Sequence, residues 1–365
     1  MPNDLDPKLM PSGVRIDRRN ALGIVTLDRP QALNALDDSM RAAIADALPR
    51  FSADPVIYAV VIRSSGAKAF CAGGDVRKIL AAYAKDKAAG RRIFADEYRL
   101  NWALECFSRP TASLIDGVVM GSGVGLSAFN THRVAGEKYR FAMPETSIGL
   151  FPDVGAAYVL GRLPHEIGLY LGLTGRIIGR ADAFALGLVT HCLPASRFEE
   201  VIDALAGAWP IDPLLDDRHE YPGPSEILNH SGTIAECFSA ETVAGILERL
   251  AKVSGSEAGW AAGVRNDLLA RSPMSLAVAL RHVRMARCTD IRETFNRDYR
   301  LACRFLEASD FAEGVRAALI DKDKSPHWQP ASIAEVEDKE VDRYFSALPE
   351  GELGLLSREA MQSLP

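Results

Sequence analysis

A chain of 365 residues, of which 48% are apolar, is long enough for one large or two ordinary domains with a sizeable core. Its formal net charge of −6 argues against a nucleic-acid partner, and no apolar run reaches the roughly 18 residues of a membrane span. Six dispersed cysteines indicate reduced thiols, and the N-terminus shows neither an apolar signal core nor an Arg-rich transit pattern, so the sequence predicts a cytoplasmic protein.

The first predicted elements are a strand pair, a helix and a buried strand. Residues 14–16 and 24–27 are strand-like, and 18–20 form the turn between them, which predicts an antiparallel hairpin. Asp37 is placed to cap a helix that follows an irregular loop. The continuous apolar run 56–62 is typical of a strand buried on both faces.

Small residues dominate the next segment, 64–76, which leads into a helix. Gly73 and Gly74 allow the backbone to approach a ligand closely, and N–H groups at such a turn can point at an anion or a developing oxyanion. An ordinary glycine turn with Asp75 as the helix cap is the alternative. Cys71 has little support as a nucleophile, because no histidine lies near it in the sequence.

Two helices are predicted next, over 75–88 and 91–107. Glu97 lies in the second helix, and an acidic residue on a helix belongs by default to its solvated face. Residues 111–115 then form another buried strand, so the chain has returned to the sheet before the next glycine-rich segment.

A second glycine turn follows this strand. Its glycines have the spacing G-x-G-x-G, with Ser122 between Gly121 and Gly123, which differs from the G-x-G-x-x-G of a dinucleotide loop. The arrangement of buried strand, glycine turn and helix therefore occurs twice. Two such turns can direct two N–H donors at one oxygen, which is the geometry of an oxyanion hole.

Residues 141–155 carry the strongest indication of chemistry. They place two carboxylates, Glu145 and Asp153, among apolar residues, and each acid follows a proline that fixes φ and lacks an N–H donor. Partial desolvation raises the proton affinity of a carboxylate and suits it to proton transfer near neutral pH. The alternative is that both acids lie on a surface loop, with Asp153 as the N-cap of the next helix.

Taken together, these segments resemble the crotonase (enoyl-CoA hydratase/isomerase) superfamily, and within it the 3-hydroxyisobutyryl-CoA hydrolase family. The resemblance extends from about residue 13 to residue 194 and also covers parts of the second half, such as 309–317. Its main motifs are the segments 29–36, 69–75, 121–126, 141–145 and 174–189.

Three positions distinguish hydrolases from hydratases in this resemblance. Hydratases typically carry a glutamate at the position of Gly125 and pair it with one at the position of Glu145, so the glycine disfavours the two-glutamate addition of water. In the hydrolases, the residues corresponding to Glu145 and Asp153 are implicated in catalysis. Ser122 stands where a glycine is common, but a serine still supplies a backbone N–H.

The resemblance also implies roles for neighbouring residues. The N–H groups of Gly74 and Ser122 would form the oxyanion hole, and Glu97, Gly73 and Gly121 would bind the substrate. Coenzyme A would be part of the acyl-CoA substrate and not a separate cofactor. Its expected contacts are Gln31, Ala32, Leu33, Lys68, Ala69, Cys71, Asp75 and Val76. No metal site is expected, because the histidines lack ligand spacing, and a homo-oligomer is compatible with the resemblance.

The implied fold is α/β (α+β), a crotonase-like spiral of ββα repeats followed by a long C-terminal helical region. We predict an acyl-CoA-binding core at 1–207 and a helical region at 208–365 that packs on it. Proline and glycine breaks around 212–224 support this division. Beyond them the sequence predicts helices over 240–253, 258–270, 273–286, 291–306 and 311–320.

Seven arginines between residues 281 and 304 make part of this helical region basic. Solvated helix faces explain such a pattern most simply, and contact with the phosphates of coenzyme A is the alternative.

The predicted function is hydrolysis of a short β-hydroxyacyl-CoA thioester, with 3-hydroxyisobutyryl-CoA of valine breakdown as the substrate that the resemblance implies. Glu145 would attack the carbonyl carbon or activate a water as general base. Asp153 would hold the substrate hydroxyl or assist proton transfer to the departing thiolate. The alternatives are a hydratase or isomerase on the same fold, and a non-catalytic acyl-CoA-binding protein.

Overall fold

The structure, a computed structural model, describes residues 13–363, so the N-terminal segment used above to argue location lies outside the described residues. Strands and helices alternate through the first half of this part of the chain, and helices make up the second half. The strands are β1 Val14–Arg19, β2 Leu22–Leu27, β3 Ala59–Ser64, β4 Ala69–Cys71, β5 Thr111–Ile115, β6 Val118–Met120, β7 His132–Ala135, β8 Arg140–Ala142, β9 Ile178–Gly179 and β10 His191–Cys192.

The helices follow the same order along the described chain. They are α1 Asp38–Ala53, α2 Val76–Lys85, α3 Lys87–Glu105, α4 Ser122–Ser127, α5 Ala156–Leu160, α6 Ile167–Thr174, α7 Arg180–Ala185, α8 Phe198–Ala206, α9 Ile211–Asp216, α10 Ser231–Phe238, α11 Val243–Lys252, α12 Ala258–Leu269, α13 Pro273–Ala286, α14 Ile291–Glu307, α15 Ser309–Val315, α16 Asp338–Phe345 and α17 Arg358–Gln362.

The strands form two sheets between which the chain passes repeatedly. The larger sheet has the order β1-β2-β3-β5-β7-β10 and the smaller one β4-β6-β8-β9. The strands β3, β5 and β7 lie in the larger sheet. The strands that follow them in the chain, β4, β6 and β8, are neighbours in the smaller sheet. Because a helix or helical turn follows each strand pair, the predicted spiral of ββα repeats is confirmed.

The early elements agree with the sequence except at two boundaries. The turn predicted at 18–20 is displaced, because Arg18 and Arg19 pair with Gly23 and Leu22 and belong to β1. The hairpin β1–β2 is antiparallel, and the carboxylate of Asp37 accepts the N–H of Met40 at the start of α1, as expected of an N-cap. The apolar run 56–62, however, does not begin as a strand. Val56 is 54% exposed, and its N–H donates to the side chain of Asp54 in a local turn that competes with strand pairing. The strand β3 starts three residues later.

The core continues from the sheets into the C-terminal helices. Val25 and Ile62 of the larger sheet belong to the same buried cluster as Phe295 and Phe305 of α14 and Phe311 of α15. A second, smaller cluster lies between the larger sheet and helices α8 and α9. The division of the chain at residues 207 and 208 stays a prediction.

The arginines of α13 and α14 bind other parts of the protein. Arg284 donates to the carbonyl oxygens of residues 238, 240 and 241, and Arg292 donates to Leu355 O. Arg300 donates to Phe345 O and pairs with Glu352. Arg284 therefore ties α13 to the segment between α10 and α11, and Arg292 and Arg300 tie α14 to residues 345–355, an explanation that the sequence did not suggest. Among residues 13–363, no helix is both long and apolar enough to cross a membrane.

Candidate active site

The two glycine turns lie side by side, because the adjacent parallel strands β4 and β6 lead into them. A Cβ built on Gly121 would lie 3.3 Å from Gly73 Cα, and one built on Gly74 would lie 3.0 Å from Ser122 Oγ. Gly73 has φ 117° and Gly121 has φ 48°, conformations that side-chain-bearing residues rarely adopt. Glycine at these two positions therefore permits the close approach of the turns.

Each turn presents a backbone N–H without an acceptor. Within the described part of the chain, neither the Gly74 N–H nor the Ser122 N–H donates a hydrogen bond. The Leu36 N–H donates to Gly73 O, and Leu36 O accepts from the Asp75 N–H. These bonds bracket Gly74 and leave its N–H free. Ser122 begins α4, and the first N–H groups of a helix have no acceptor within the helix. Two free donors on converging turns are what an oxyanion hole requires.

Glu145 reaches the same turns from the loop after β8. Its Oε1 lies 3.1 Å from the point where a Cβ on Gly121 would be. The side chain is buried, and its Oε2 has no hydrogen-bond partner among residues 13–363. Burial raises the pKa of Glu145 well above its usual range. A buried carboxylate oxygen without a partner in the described chain is suited to act on a ligand.

Asp153 is buried on the same loop and is held by α3. The hydroxyl of Tyr98 donates to Asp153 Oδ2 at 2.8 Å. Burial, followed by the charge of Glu145, raises the pKa of Asp153 well above its usual range. The alternative that Asp153 caps the next helix is wrong, since Gly155 is the N-cap of α5 and no side chain caps that helix.

Glu97 also faces the turns, so its default assignment to a solvated helix face is wrong. It is only 2% exposed, and its Oε2 lies 3.9 Å from the Cβ position of Gly74. The guanidinium of Arg41, itself buried, donates to this oxygen at 3.4 Å. Arg41 compensates the buried charge of Glu97, and sequence spacing could not reveal this pair because the two residues lie on α1 and α3.

Position 125 is closed to a larger side chain. A Cβ on Gly125 would lie 2.7 Å from Asn101 Nδ2 and 2.9 Å from the Cβ of Val154. The space beside Gly125 is therefore occupied by α3 on one side and by the loop of Asp153 on the other. A glutamate here would need both neighbours to move.

Hydrogen bonds from the C-terminal helices hold the loop that carries Glu145 and Asp153. The Gly155 N–H donates to Asp298 Oδ2 at 2.6 Å, and Asp298 Oδ1 lies 2.6 Å from His282 Nε2. Nearer Glu145, the Ser272 N–H donates to Thr146 O at 3.2 Å. Because these contacts join distant parts of the chain, sequence spacing could not reveal Asp298 or His282 as supports of the site.

Gly314 of α15 gives a direct test of this support. A Cβ there would lie 2.3 Å from the carbonyl carbon of Ile148, so Gly314→Ala is expected to displace α15 from the loop. We expect a loss of about 1–3 kcal/mol in the free energy of unfolding, and a lower kcat. Gly259→Ala is the matched control: its Cβ meets nothing within 4 Å, and alanine is the better helix former. Equal unfolding free energies for the two variants would contradict the proposed support.

The two segments predicted to bind coenzyme A adjoin each other. The Ala72 N–H donates to Leu33 O at 3.0 Å, and Asn34 Nδ2 donates to Ala69 O at 3.1 Å. Gln31, Leu33 and Lys68 are exposed, and Ala32 is half-buried. These side chains could meet a ligand from solvent, so the predicted coenzyme A surface is continuous across both segments.

The remaining residues of this surface are less accessible. Ala69 and Cys71 are buried, so only their backbone could contribute, while Asp75 pairs with Arg29 at 3.1 Å and Val76 is half-buried at the start of α2. Burial raises the pKa of Cys71 to about 12, which disfavours the thiolate that a nucleophile would need. The coenzyme A contacts stay predictions. Among residues 13–363 no group of three His, Cys, Asp or Glu is placed to hold a metal ion.

The buried acids should make the stability of the unliganded protein depend on pH. Above the ordinary carboxyl pKa of about 4, the unfolded chain releases a proton that the folded protein retains, because burial raises the pKa of Glu145 and of Asp153. The free energy of unfolding therefore falls as the pH rises from the ordinary carboxyl pKa to the raised pKa values of the folded protein. Glu145→Gln should reduce the slope and raise Tm at about pH 8, as measured by thermal unfolding from about pH 5 upward. Identical pH profiles for the wild type and the variant would show that burial does not perturb this group.

The chain matches known proteins over almost its whole length. The family described as Enoyl-CoA hydratase/isomerase matches residues 22–345. The mitochondrial 3-hydroxyisobutyryl-CoA hydrolase of Rattus norvegicus is 39% identical over 346 residues, which cover 92% of this chain and 89% of the relative. The human mitochondrial enzyme of the same name is 39% identical over 351 residues, 93% of this chain and 90% of the relative. 3-Hydroxyisobutyryl-CoA hydrolase 1 of Arabidopsis thaliana is 36% identical over 97% of both chains.

Two solved structures share the fold closely. One is a carnitinyl-CoA dehydratase from Mycobacterium thermoresistibile and the other an enoyl-CoA hydratase from Rhodobacter sphaeroides 2.4.1. Each is 36% identical to this chain with a TM-score of 0.87, and each match covers 94% of this chain and at least 98% of the other.

These relatives correct the predicted location. The rat and human proteins are mitochondrial, so the cytoplasmic location predicted from the sequence is wrong. The cysteines are free thiols, all buried except Cys288, but unpaired thiols indicate only a reducing environment and do not identify the compartment that provides it.

Proposed function

The chain belongs to the enoyl-CoA hydratase/isomerase family, and we propose that it hydrolyses 3-hydroxyisobutyryl-CoA to 3-hydroxyisobutyrate and coenzyme A, a step of valine breakdown. One observation carries the proposal: the carboxyl group of Glu145 adjoins the two convergent glycine turns, whereas the space at Gly125 is filled by Asn101 and Val154. In the proposed site, an oxyanion hole faces an acid pair at 145 and 153, and position 125 carries no carboxylate.

The oxyanion hole would act on the thioester oxygen. In the proposed pose this oxygen accepts the N–H groups of Gly74 and Ser122, which have no other acceptor in the described chain. Negative charge develops on the oxygen as the carbonyl carbon becomes tetrahedral. Donors that are already in place stabilise this charge without reorganisation, and one such donor is typically worth on the order of 10²–10³ in rate.

Glu145 would start the reaction in one of two ways. As a nucleophile, its carboxylate bonds to the carbonyl carbon, the C–S bond breaks, and water later hydrolyses the resulting anhydride. As a general base, it takes a proton from a water that attacks the same carbon directly. Both routes yield the acid and the free thiol of coenzyme A.

Asp153 would complete the transfer. Because its pKa is raised, it can hold a proton near neutral pH and deliver it to the departing thiolate. The hydroxyl of Tyr98 fixes the position of this carboxyl group. In this account Glu97, Gly73 and Gly121 line the acyl pocket, and coenzyme A crosses the surface formed by residues 31–33 and 68–76. Assembly into a homo-oligomer stays a prediction.

The test is the release of thiol from 3-hydroxyisobutyryl-CoA, followed with a chromogenic thiol reagent. We expect turnover by the purified protein with no added metal or cofactor, and slower turnover of acyl-CoA esters with longer chains. Binding of the thioester without any thiol release would instead support a non-catalytic acyl-CoA-binding protein.

A second candidate function is hydration of an enoyl-CoA. It is favoured by the two solved relatives that are named as a dehydratase and a hydratase at 36% identity. Incubation with crotonyl-CoA separates the two functions, since hydration removes the enoyl absorbance and releases no thiol. Efficient loss of that absorbance, with no thiol released from the hydroxyacyl ester, would assign hydration to this chain.

A further inference from the structure

Asn101 is a fully buried amide that forms no hydrogen bond through its side chain. Neither its Nδ2 nor its Oδ1 has a partner among residues 13–363. An asparagine side chain can donate two hydrogen bonds and accept two, and leaving such a group unpaired in the interior is costly. The residue must therefore either be a source of instability or be satisfied by something that the unliganded fold does not contain.

The Asn101 amide lies next to residues of the candidate active site. Asn101 lies on α3, one helical turn after Glu97 and close to Tyr98, which bonds to Asp153. Its Nδ2 and Oδ1 lie 2.7 and 2.9 Å from the Cβ position of Gly125, a residue with no side chain to bond them.

Two of the site's carboxyl groups also carry an unpaired oxygen. Glu97 Oε1 and Glu145 Oε2 are also buried without a partner in the described chain. Val154, the residue after Asp153, lies 2.9 Å from the same Cβ position of Gly125 that the amide approaches. Three buried polar groups without a partner in the described chain thus lie on α3 and on the loop of the two acids, where a polar ligand would satisfy them.

We propose that the side-chain amide of Asn101 binds the hydroxyl group of the acyl chain and so makes the enzyme selective for hydroxyacyl over plain acyl thioesters. A hydroxyl both donates and accepts, so it satisfies Oδ1 and Nδ2 together, whereas an ionised carboxylate only accepts. The amide is neutral at every working pH and remains available while the two acids transfer protons. This inference rests on the thioesterase function proposed above.

Buried amides that support the fold look different in this protein. Asn130 is as deeply buried, and its Nδ2 donates to Ser113 Oγ and to Leu126 O. Its removal would break bonds that the folded protein already has, whereas removal of the Asn101 amide breaks none. Stability therefore separates a binding role of Asn101 from a structural one.

The experiment compares kcat/KM for 3-hydroxyisobutyryl-CoA and isobutyryl-CoA, which differ only in the hydroxyl, in the wild type and in Asn101→Leu. Leucine keeps the branched shape and removes the polar atoms. We expect the ratio of the two kcat/KM values to fall by about 10- to 100-fold, because a pocket that bonds a hydroxyl discriminates strongly against its absence. Activity on isobutyryl-CoA should be retained, and the Tm of the unliganded variant should not be below that of the wild type.

Asn130→Leu is the matched control and should lower Tm without changing the ratio. An unchanged ratio in Asn101→Leu overturns the proposal. An equal loss of kcat/KM on both esters also overturns it, because that result would assign the amide to the attacking water.

Asn101→Ala is the second variant, for the case in which a leucine side chain is too wide for the site. If neither variant folds, the amide is structural and the proposal is overturned. Wild-type protein that releases thiol from neither ester refutes the thioesterase function itself, a result distinct from all of these.

Discussion

Glutamine in place of Glu145 is expected to lower kcat for thioester hydrolysis by on the order of 10²–10⁴ and to change acyl-CoA affinity only slightly. The amide keeps the size of the side chain but can neither attack the carbonyl carbon nor take a proton from water. Affinity should persist because coenzyme A would be bound by the surface at 31–33 and 68–76, away from this carboxyl group. Steady-state thiol release gives kcat, and calorimetric titration with coenzyme A gives the affinity.

Asp182→Asn is the matched control for this variant. Asp182 is also a buried carboxylate, but it accepts hydrogen bonds from Ser225 Oγ and the Ile227 N–H and so supports the fold. Its replacement should lower Tm and leave kcat nearly unchanged. If Glu145→Gln retains the wild-type kcat, Glu145 is neither the nucleophile nor the base.

The second large effect is expected for Gly121→Ala, which should lower kcat by on the order of 10²–10³. An alanine would be strained at φ 48° and ψ −121°, and its Cβ would lie 3.1 Å from Glu145 Oε1 and 3.3 Å from Gly73 Cα. Relief of these contacts separates the two turns and moves the Ser122 N–H away from the thioester oxygen. Thiol-release kinetics and thermal unfolding measure the two consequences.

Gly187→Ala separates strain from crowding. Gly187 has φ 71°, but a Cβ there would meet nothing within 4 Å. Gly187 shares the positive φ of Gly121 but lacks its close contacts. We therefore expect Gly187→Ala to lower the free energy of unfolding by about 1 kcal/mol and to leave kcat unchanged. A similar kcat for both alanine variants would mean that the closeness of the two turns does not matter for the reaction.

The sequence predicted the parts of the site that are contiguous in the chain. The glycine turns at 73–74 and 121–125 and the acids of the loop 141–155 are recognisable because strand, turn and helix follow one another locally. Their convergence follows from the pairing of β4 with β6, which the sequence did not establish.

The supports of the site could not be predicted in this way. Tyr98 bonds to Asp153 across 55 residues and Asp298 bonds to the Gly155 N–H across 143, so each contact depends on how helices pack. Glu97 shows the limit of a local rule: an acid on a helix is usually solvated, but here α3 is buried between α1 and α14 and Arg41 compensates the charge. The spacing of Glu97, Tyr98 and Asn101 along one helix was the signal that could have identified this face.

The central claim is that the free N–H groups of Gly74 and Ser122 and the acids Glu145 and Asp153 face one acyl pocket. A crystal structure of Glu145→Gln with 3-hydroxyisobutyryl-CoA bound tests it most directly. We predict that the thioester oxygen accepts both N–H groups, with residues 145 and 153 on either side of the carbonyl carbon. A thioester oxygen bonded to neither N–H group, or a carbonyl carbon in a cavity separate from the two acids, would contradict the account.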